Sequence, residues 1–84
     1  MSLYILRLPA VQTVLGCSRS AFYQRIKEGL ITKQVRLGPR SVGWPSHEID
    51  ALVTALIAGK TDDEIRQLVT ELEAKRKTMV GGLV

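Results

Sequence analysis

The chain has 84 residues, 45% of them apolar, and its 12 Lys and Arg against 8 Asp and Glu leave a formal net charge of +4. That length holds one domain around one modest core, which must be mostly aliphatic because there are only one Trp, two Tyr and one Phe. A single Cys and a single His exclude an intramolecular disulfide framework and a four-ligand structural zinc, so stapled secreted folds and zinc fingers are ruled out.

Taken in chain order, Tyr4-Ile5-Leu6-Arg7 is a short β-prone stretch. Leu8-Pro9 then opens a first helix over about Pro9 to Leu15, because Pro fits the first helical position, where its missing N–H is not needed. Gly16 ends that helix, Cys17 bridges, and Ser18 is placed to cap a second helix over about Arg19 to Glu28 by accepting from a free backbone donor of its first turn. Gly29 follows as the left-handed residue that closes it. From Thr32 to Trp44 the period changes to two: Val35 and Leu37 alternate with Gln34 and Arg36, and Val42 and Trp44 return after Gly38-Pro39-Arg40-Ser41. This is the pattern of a β-hairpin with a basic tip.

Pro45 is expected to interrupt the second strand, and Ser46 to cap a third helix whose stripe is Ile49, Leu52, Val53, Leu56 and Ile57, ending at Gly59. Thr61-Asp62-Asp63-Glu64 has the spacing of a capping box and opens a fourth helix, with the stripe Ile65, Leu68, Val69 and Leu72, to about Lys77. Lys75, Arg76 and Lys77 there suit the negative end of the helix dipole. The expected fold is mainly α with a small β-hairpin wing: a winged helix-turn-helix over 1–58, a further C-terminal helix over 59–78 packed on it or used for association, and a flexible tail over 79–84. No internal repeat or low-complexity linker divides the chain.

Charge is unevenly placed. Residues 1–45 carry seven basic side chains against Glu28 alone, a net +6, and the remainder carries five against seven, a net −2. A basic half joined to an acidic half points to a polyanion-facing surface backed by a scaffold. On helix two, Phe22 and Ile26 share the side expected to face the core, while Arg19, Ser20, Tyr23, Gln24 and Lys27 share the opposite side. Arg reads guanine through two hydrogen bonds, Gln does the same for adenine, and Lys and Ser hold backbone oxygens. Arg36 and Arg40 on the hairpin would reach the flanking backbone or minor groove. The candidate DNA-binding residues are therefore Arg19, Ser20, Tyr23, Gln24, Lys27, Arg36 and Arg40.

Other residues have plainer readings. The alternative for Tyr23 is a packing anchor under the hairpin with its hydroxyl at the surface, Arg25 faces neither side of its helix cleanly and suits a surface role or a contact with Glu28, and Trp44 belongs to the core. His47 beside Glu48 and Asp50 lacks a nucleophile, a phosphate loop or a third ligand, so a surface position in the first helical turn is expected; Cys17 reads as small packing in a turn. Catalysis, a metal site, a cofactor and a small-molecule substrate are not expected. No apolar run nears the ~20 residues that cross a bilayer, and the first residues lack signal-peptide character, so a cytoplasmic protein is expected. The stripe of helix four fails heptad spacing at Lys75 and suits packing on its own domain more than a dimer through Leu68, Leu72 and Met79.

The motifs resemble a known family. Arg7-Leu8-Pro9, Gly16-Cys17-Ser18-Arg19-Ser20-Ala21-Phe22-Tyr23, Glu28-Gly29, Val35-Arg36-Leu37-Gly38-Pro39-Arg40-Ser41-Val42-Gly43-Trp44 and Glu48-Ile49 resemble the AlpA family of phage and prophage transcriptional regulators over about residues 4 to 58. The family is similar in fold to excisionases and to MerR-type DNA-binding domains. The resemblance implies a bacterial, nucleoid-associated regulator of prophage or mobile-element genes such as integrase or excision genes, with Ser18 to Lys27 as recognition helix and Arg36 to Arg40 as wing. Arg25 stands where family members commonly carry an apolar residue, and residues 60–84 extend past the usual family core. The expected partner is double-stranded DNA, bound as a homodimer or as tandem monomers. An excisionase-like DNA-bending factor, a DNA-recognition subunit of a packaging machine and a protein-binding adaptor using helix four are the alternatives.

Overall fold

The computed structural model describes residues 4–83, with side chains to Lys77. Its elements in order are β1 (Ile5–Leu6), α1 (Leu8–Leu15), α2 (Arg19–Lys27), β2 (Val35–Gly38), β3 (Ser41–Pro45), α3 (Ser46–Ile57) and α4 (Asp62–Leu83). The fold is mostly helical with a small antiparallel sheet: a helix-turn-helix, a wing-like hairpin and a C-terminal helix.

Local chemistry fixes the helix ends. Ser18 Oγ accepts from Ala21 N–H at 3.2 Å and caps α2. At the other end Leu30 N–H bonds Arg25 C=O at 2.8 Å and Gly29 N–H bonds Ile26 C=O at 3.1 Å. This crossed pair needs the left-handed φ of 79° that Gly29 adopts without steric cost. The capping box also forms: Thr61 N–H donates to Glu64 Oε1 at 3.0 Å and Glu64 N–H donates to Thr61 Oγ1 at 3.2 Å.

The sheet order is β1-β3-β2, so β3 is central. Ile5 pairs with Pro45 and Leu6 with Trp44, while Val35 pairs with Gly43 and Arg36 with Val42. The β-prone start of the chain is thus a third strand rather than an isolated stretch. Its close approach requires Gly43, where a Cβ would overlap the Ile5 side chain and stand 2.9 Å from the Leu6 carbonyl oxygen.

Three local expectations change. Pro45 does not break β3; it is the strand's last residue and the N-cap of α3. Ser46 is then the first helical residue, not the cap. Its N–H donates to Tyr4 C=O at 2.8 Å and its Oγ accepts from Tyr4 N–H at 3.4 Å, because the incoming β1 lies against the start of α3. Finally, α4 runs on to Leu83, past the expected end at Lys77, so Lys75, Arg76 and Lys77 are not at its terminus. The expected tail over 79–84 falls on residues whose side chains lie outside those described.

The core joins every helix: Val11, Phe22, Ile31, Trp44, Ile49, Leu52, Ala55, Ile65, Val69 and Leu72 are buried. Trp44 is fully enclosed and its Nε1–H donates to Thr32 C=O at 3.1 Å. On α3 the buried face is Glu48, Ile49, Leu52 and Ala55, not the full expected stripe. Leu56 is largely exposed and Ile57 is 82% exposed, because the inner face is set by contact with α1, β3 and α4.

One buried group is charged. Glu48 is 0% exposed and is held by Arg76 through a two-pronged pair, Nε to Oε2 at 2.7 Å and Nη2 to Oε1 at 2.6 Å. The Arg76 pKa is raised, chiefly by the hydrogen bonds to Glu48, with burial opposing and the Glu48 and Glu73 charges adding. The position of Arg76 follows from α4's own period, since Ile65, Val69, Leu72 and Arg76 recur at one helical face.

Candidate nucleic-acid interface

The seven candidate residues fall into two groups. On α2, the side chain of Phe22 is fully buried and Ile26 is half-buried, which turns Arg19, Ser20, Tyr23, Gln24 and Lys27 to solvent. Arg19 is not adrift there: its guanidinium carbon lies 5.9 Å from the centre of the Tyr23 ring. A cation–π contact at an exposed site contributes about 0.5–1 kcal/mol and narrows the Arg's range of positions. Tyr23 is 39% exposed and meets Phe22 edge-on at 5.7 Å between ring centres. Phe22 meets Trp44 the same way at 4.9 Å. An aromatic series thus runs from strand β3 through the core to the outer face of α2, where Tyr23 packs on Phe22 and stays partly exposed.

The second group lies on the hairpin. Arg36 and Arg40 are exposed and line a cleft of about 450 Å³ together with Lys33, Gln34 and Pro39. Arg36 Nε–H donates to Gly38 C=O at 3.4 Å, which curls its side chain over the turn. Among the described residues no ion pair involves Arg19, Lys27, Lys33, Arg36 or Arg40, so all five cations are available to an external anion. The aromatic series joins the two groups; among the described residues no hydrogen bond or ion pair does.

Several side chains are placed differently from expectation or were not anticipated. Arg25 makes no ion pair with Glu28; it is half-buried beside a pocket of about 150 Å³ that Leu15, Leu30, Leu56 and Asp62 also line. His47 is not a free surface group, being half-buried with Nδ1 enclosed and unpartnered among the described atoms. Lys33 at the hairpin base was missed, although its charge two residues before β2 was a usable signal. Glu48 was also missed. Its spacing of four from Leu52 and seven from Ala55 put it on the core face. Cys17 is a free, half-buried thiol. Among the described residues no cluster of three His, Cys, Asp or Glu is placed to hold a metal, and no helix is long and apolar enough to cross a membrane.

The chain thus combines a helix-turn-helix, an adjoining hairpin and an array of cations that make no ion pair among the described residues. Residues 4–55 match the family model described as "Prophage CP4-57 regulatory protein (AlpA)", and the chain belongs to this phage-associated regulatory family. A relative from Enterobacteria phage P4, "Uncharacterized protein ORF88", is 40% identical over 55 residues, which cover 66% of this chain and 62% of the relative. The chain therefore spans less than two thirds of that relative's length. No solved structure matches the chain.

Proposed function

We propose that this protein is a sequence-specific double-stranded DNA-binding transcriptional regulator of prophage or mobile-element genes, such as integrase or excision genes, acting at the bacterial nucleoid. In this reading α2 enters the major groove. Arg19, Ser20, Tyr23, Gln24 and Lys27 meet base edges and phosphates there, and Arg36 and Arg40 grip flanking DNA. Residues 1–58 form the DNA-contacting unit and 59–78 the helix packed on it. The observation that carries this reading is the exposed polar face of α2 coupled through Tyr23, Phe22 and Trp44 to a hairpin whose arginines make no ion pair among the described residues. An adaptor role through the stripe of α4 has less support, because Ile65, Val69 and Leu72 are buried in the chain's own core.

Selection of bound sequences from a random DNA pool at near-physiological salt tests the reading. The expected result is an enriched motif that the Arg19→Ala, Tyr23→Ala double variant fails to enrich, with any half-site spacing reporting a dimer or tandem monomers. Salt-sensitive binding without enrichment would replace sequence reading by an architectural role, and no binding at all would refute DNA as the partner.

A further inference from the structure

Lys33 stands in the connection from α2 to β2 and lines the wing cleft beside Arg36 and Arg40. Its backbone is held from both sides by α4. Glu73 Oε2 accepts from Lys33 N–H at 2.8 Å, and Arg76 Nη2 donates to Lys33 C=O at 2.7 Å. Arg76 is itself fixed by the buried Glu48 carboxylate. At the other end of the same connection, Arg66 Nε–H donates to Glu28 C=O at 2.8 Å. Helix α4 therefore fastens both ends of the link between α2 and the wing, although it lies beyond the 4–55 segment that the family model matches.

Building on the DNA-binding reading above, we infer that Lys33 is a further phosphate-contacting residue of the wing and that Glu73 and Arg76 of α4 are its positioning residues. Its ligand is a phosphodiester of the DNA backbone. Three cations around one cleft concentrate positive potential. A lysine on an already fixed backbone gives up less freedom on contact than one on a loose loop. The sign of Glu73 separates positioning from plain electrostatics. A carboxylate near the DNA-facing surface repels phosphate, so by charge alone its removal tightens binding; as an anchor for Lys33, its removal weakens binding.

The test uses the full chain and a short mixed-sequence duplex, with affinity followed by fluorescence anisotropy across a salt series and folding checked by circular dichroism. Lys33→Ala is expected to flatten the log–log salt slope by ~0.9 and to weaken binding about tenfold near 0.1 M salt, because each neutralised phosphate contributes ~0.9 log units per decade of salt below 1 M. Glu73→Ala is expected to weaken binding roughly threefold, and not to weaken it in the Lys33→Ala background, where only the loss of a negative charge remains. Steep wild-type binding with an unchanged slope for Lys33→Ala would overturn the inference and leave the DNA reading standing. Tighter binding by folded Glu73→Ala would overturn the positioning role. Wild-type binding that ignores salt would overturn both readings together.

Discussion

The two halves of the chain use charge in opposite ways. All three ion pairs among the described residues, Lys60–Glu64, Arg66–Asp63 and Arg76–Glu48, lie within residues 46–84. Residues 1–45, with their net +6, contribute none. The second half pairs three of its five cations internally and buries one of the pairs, whereas the first half leaves all but the half-buried Arg25 exposed. Charge held internally adds to a scaffold; charge left unpaired adds to a surface potential that reaches an incoming polyanion. Asymmetry in composition is thus also asymmetry in structure; the two halves meet where α3 packs on α1 and β3 and where α4 side chains bond Glu28 and Lys33.

The sharpest way to break this contrast is to damage the scaffold half alone. Arg76→Ala strands the fully buried Glu48 carboxylate and should destabilise the fold by about 3–5 kcal/mol, measured by urea unfolding. The Glu48→Leu, Arg76→Met double variant should recover most of that loss, since apolar replacement of both partners removes the unpaired charge. If the single variant unfolds at the wild-type urea concentration, the buried pair is not a structural element. The next effect tests the surface half. Arg19→Ala should lower stability to urea by no more than the ~1 kcal/mol of its exposed contact with Tyr23 and cost about 1–3 kcal/mol of discrimination between the selected sequence and random DNA, as loss of a two-pronged base contact would. Equal loss on both DNAs would reassign Arg19 to a phosphate. Arg40→Ala should instead weaken both by the same factor, with a salt slope lower by ~0.9.

The sequence made the local features of both halves legible and left the long-range ones hidden. The Ser18 cap, the closure at Gly29 and the Thr61–Glu64 box each depend on residues within a few positions of one another, so spacing alone reveals them. Ser46 also had a capping side chain, but Tyr4, far away in sequence, takes up its hydroxyl and N–H. The β-prone start gave no sign of its partner, because pairing Leu6 with Trp44 is a tertiary choice. Arg76 was read by the local rule for charges at helix ends, and Glu48 only as a neighbour of His47 in the first turn of its helix. Both in fact sit on core-facing positions of their helices, at 48, 52, 55 and at 65, 69, 72, 76. Two opposite charges at core positions of neighbouring helices are themselves a readable sign of a buried pair. The exposed face of α2 was legible because Phe22 and Ile26 mark its inner side; the charge of Lys33 was a readable signal too, but the hold of Glu73 and Arg76 on its backbone was not, because it comes from α4.

Two smaller effects probe the helix starts on either side of the divide. Ser18→Ala removes the acceptor for Ala21 N–H at the head of α2 and should cost ~1 kcal/mol in urea unfolding, with a DNA effect only through the presentation of Arg19. At the head of α4 the cap is itself charged. The Glu64 pKa is lowered from its ordinary 4.5, first by the backbone N–H of Thr61, then by the Thr61 hydroxyl, with Lys60 adding a smaller push in the same direction against slight desolvation. A carboxylate with a lowered folded pKa stabilises the fold fully above its unfolded pKa, and that contribution disappears as pH falls through the folded value. The stability difference between wild type and Glu64→Gln should therefore be constant near neutrality and shrink only below pH 4.5. Added salt should reduce it little, because the Lys60 contact at 3.9 Å between exposed groups is the minor cause and the hydrogen bonds from Thr61 are the major one. A difference that salt abolishes at neutral pH would reverse that order of causes, making the head of α4 a surface ion pair rather than a hydrogen-bonded cap.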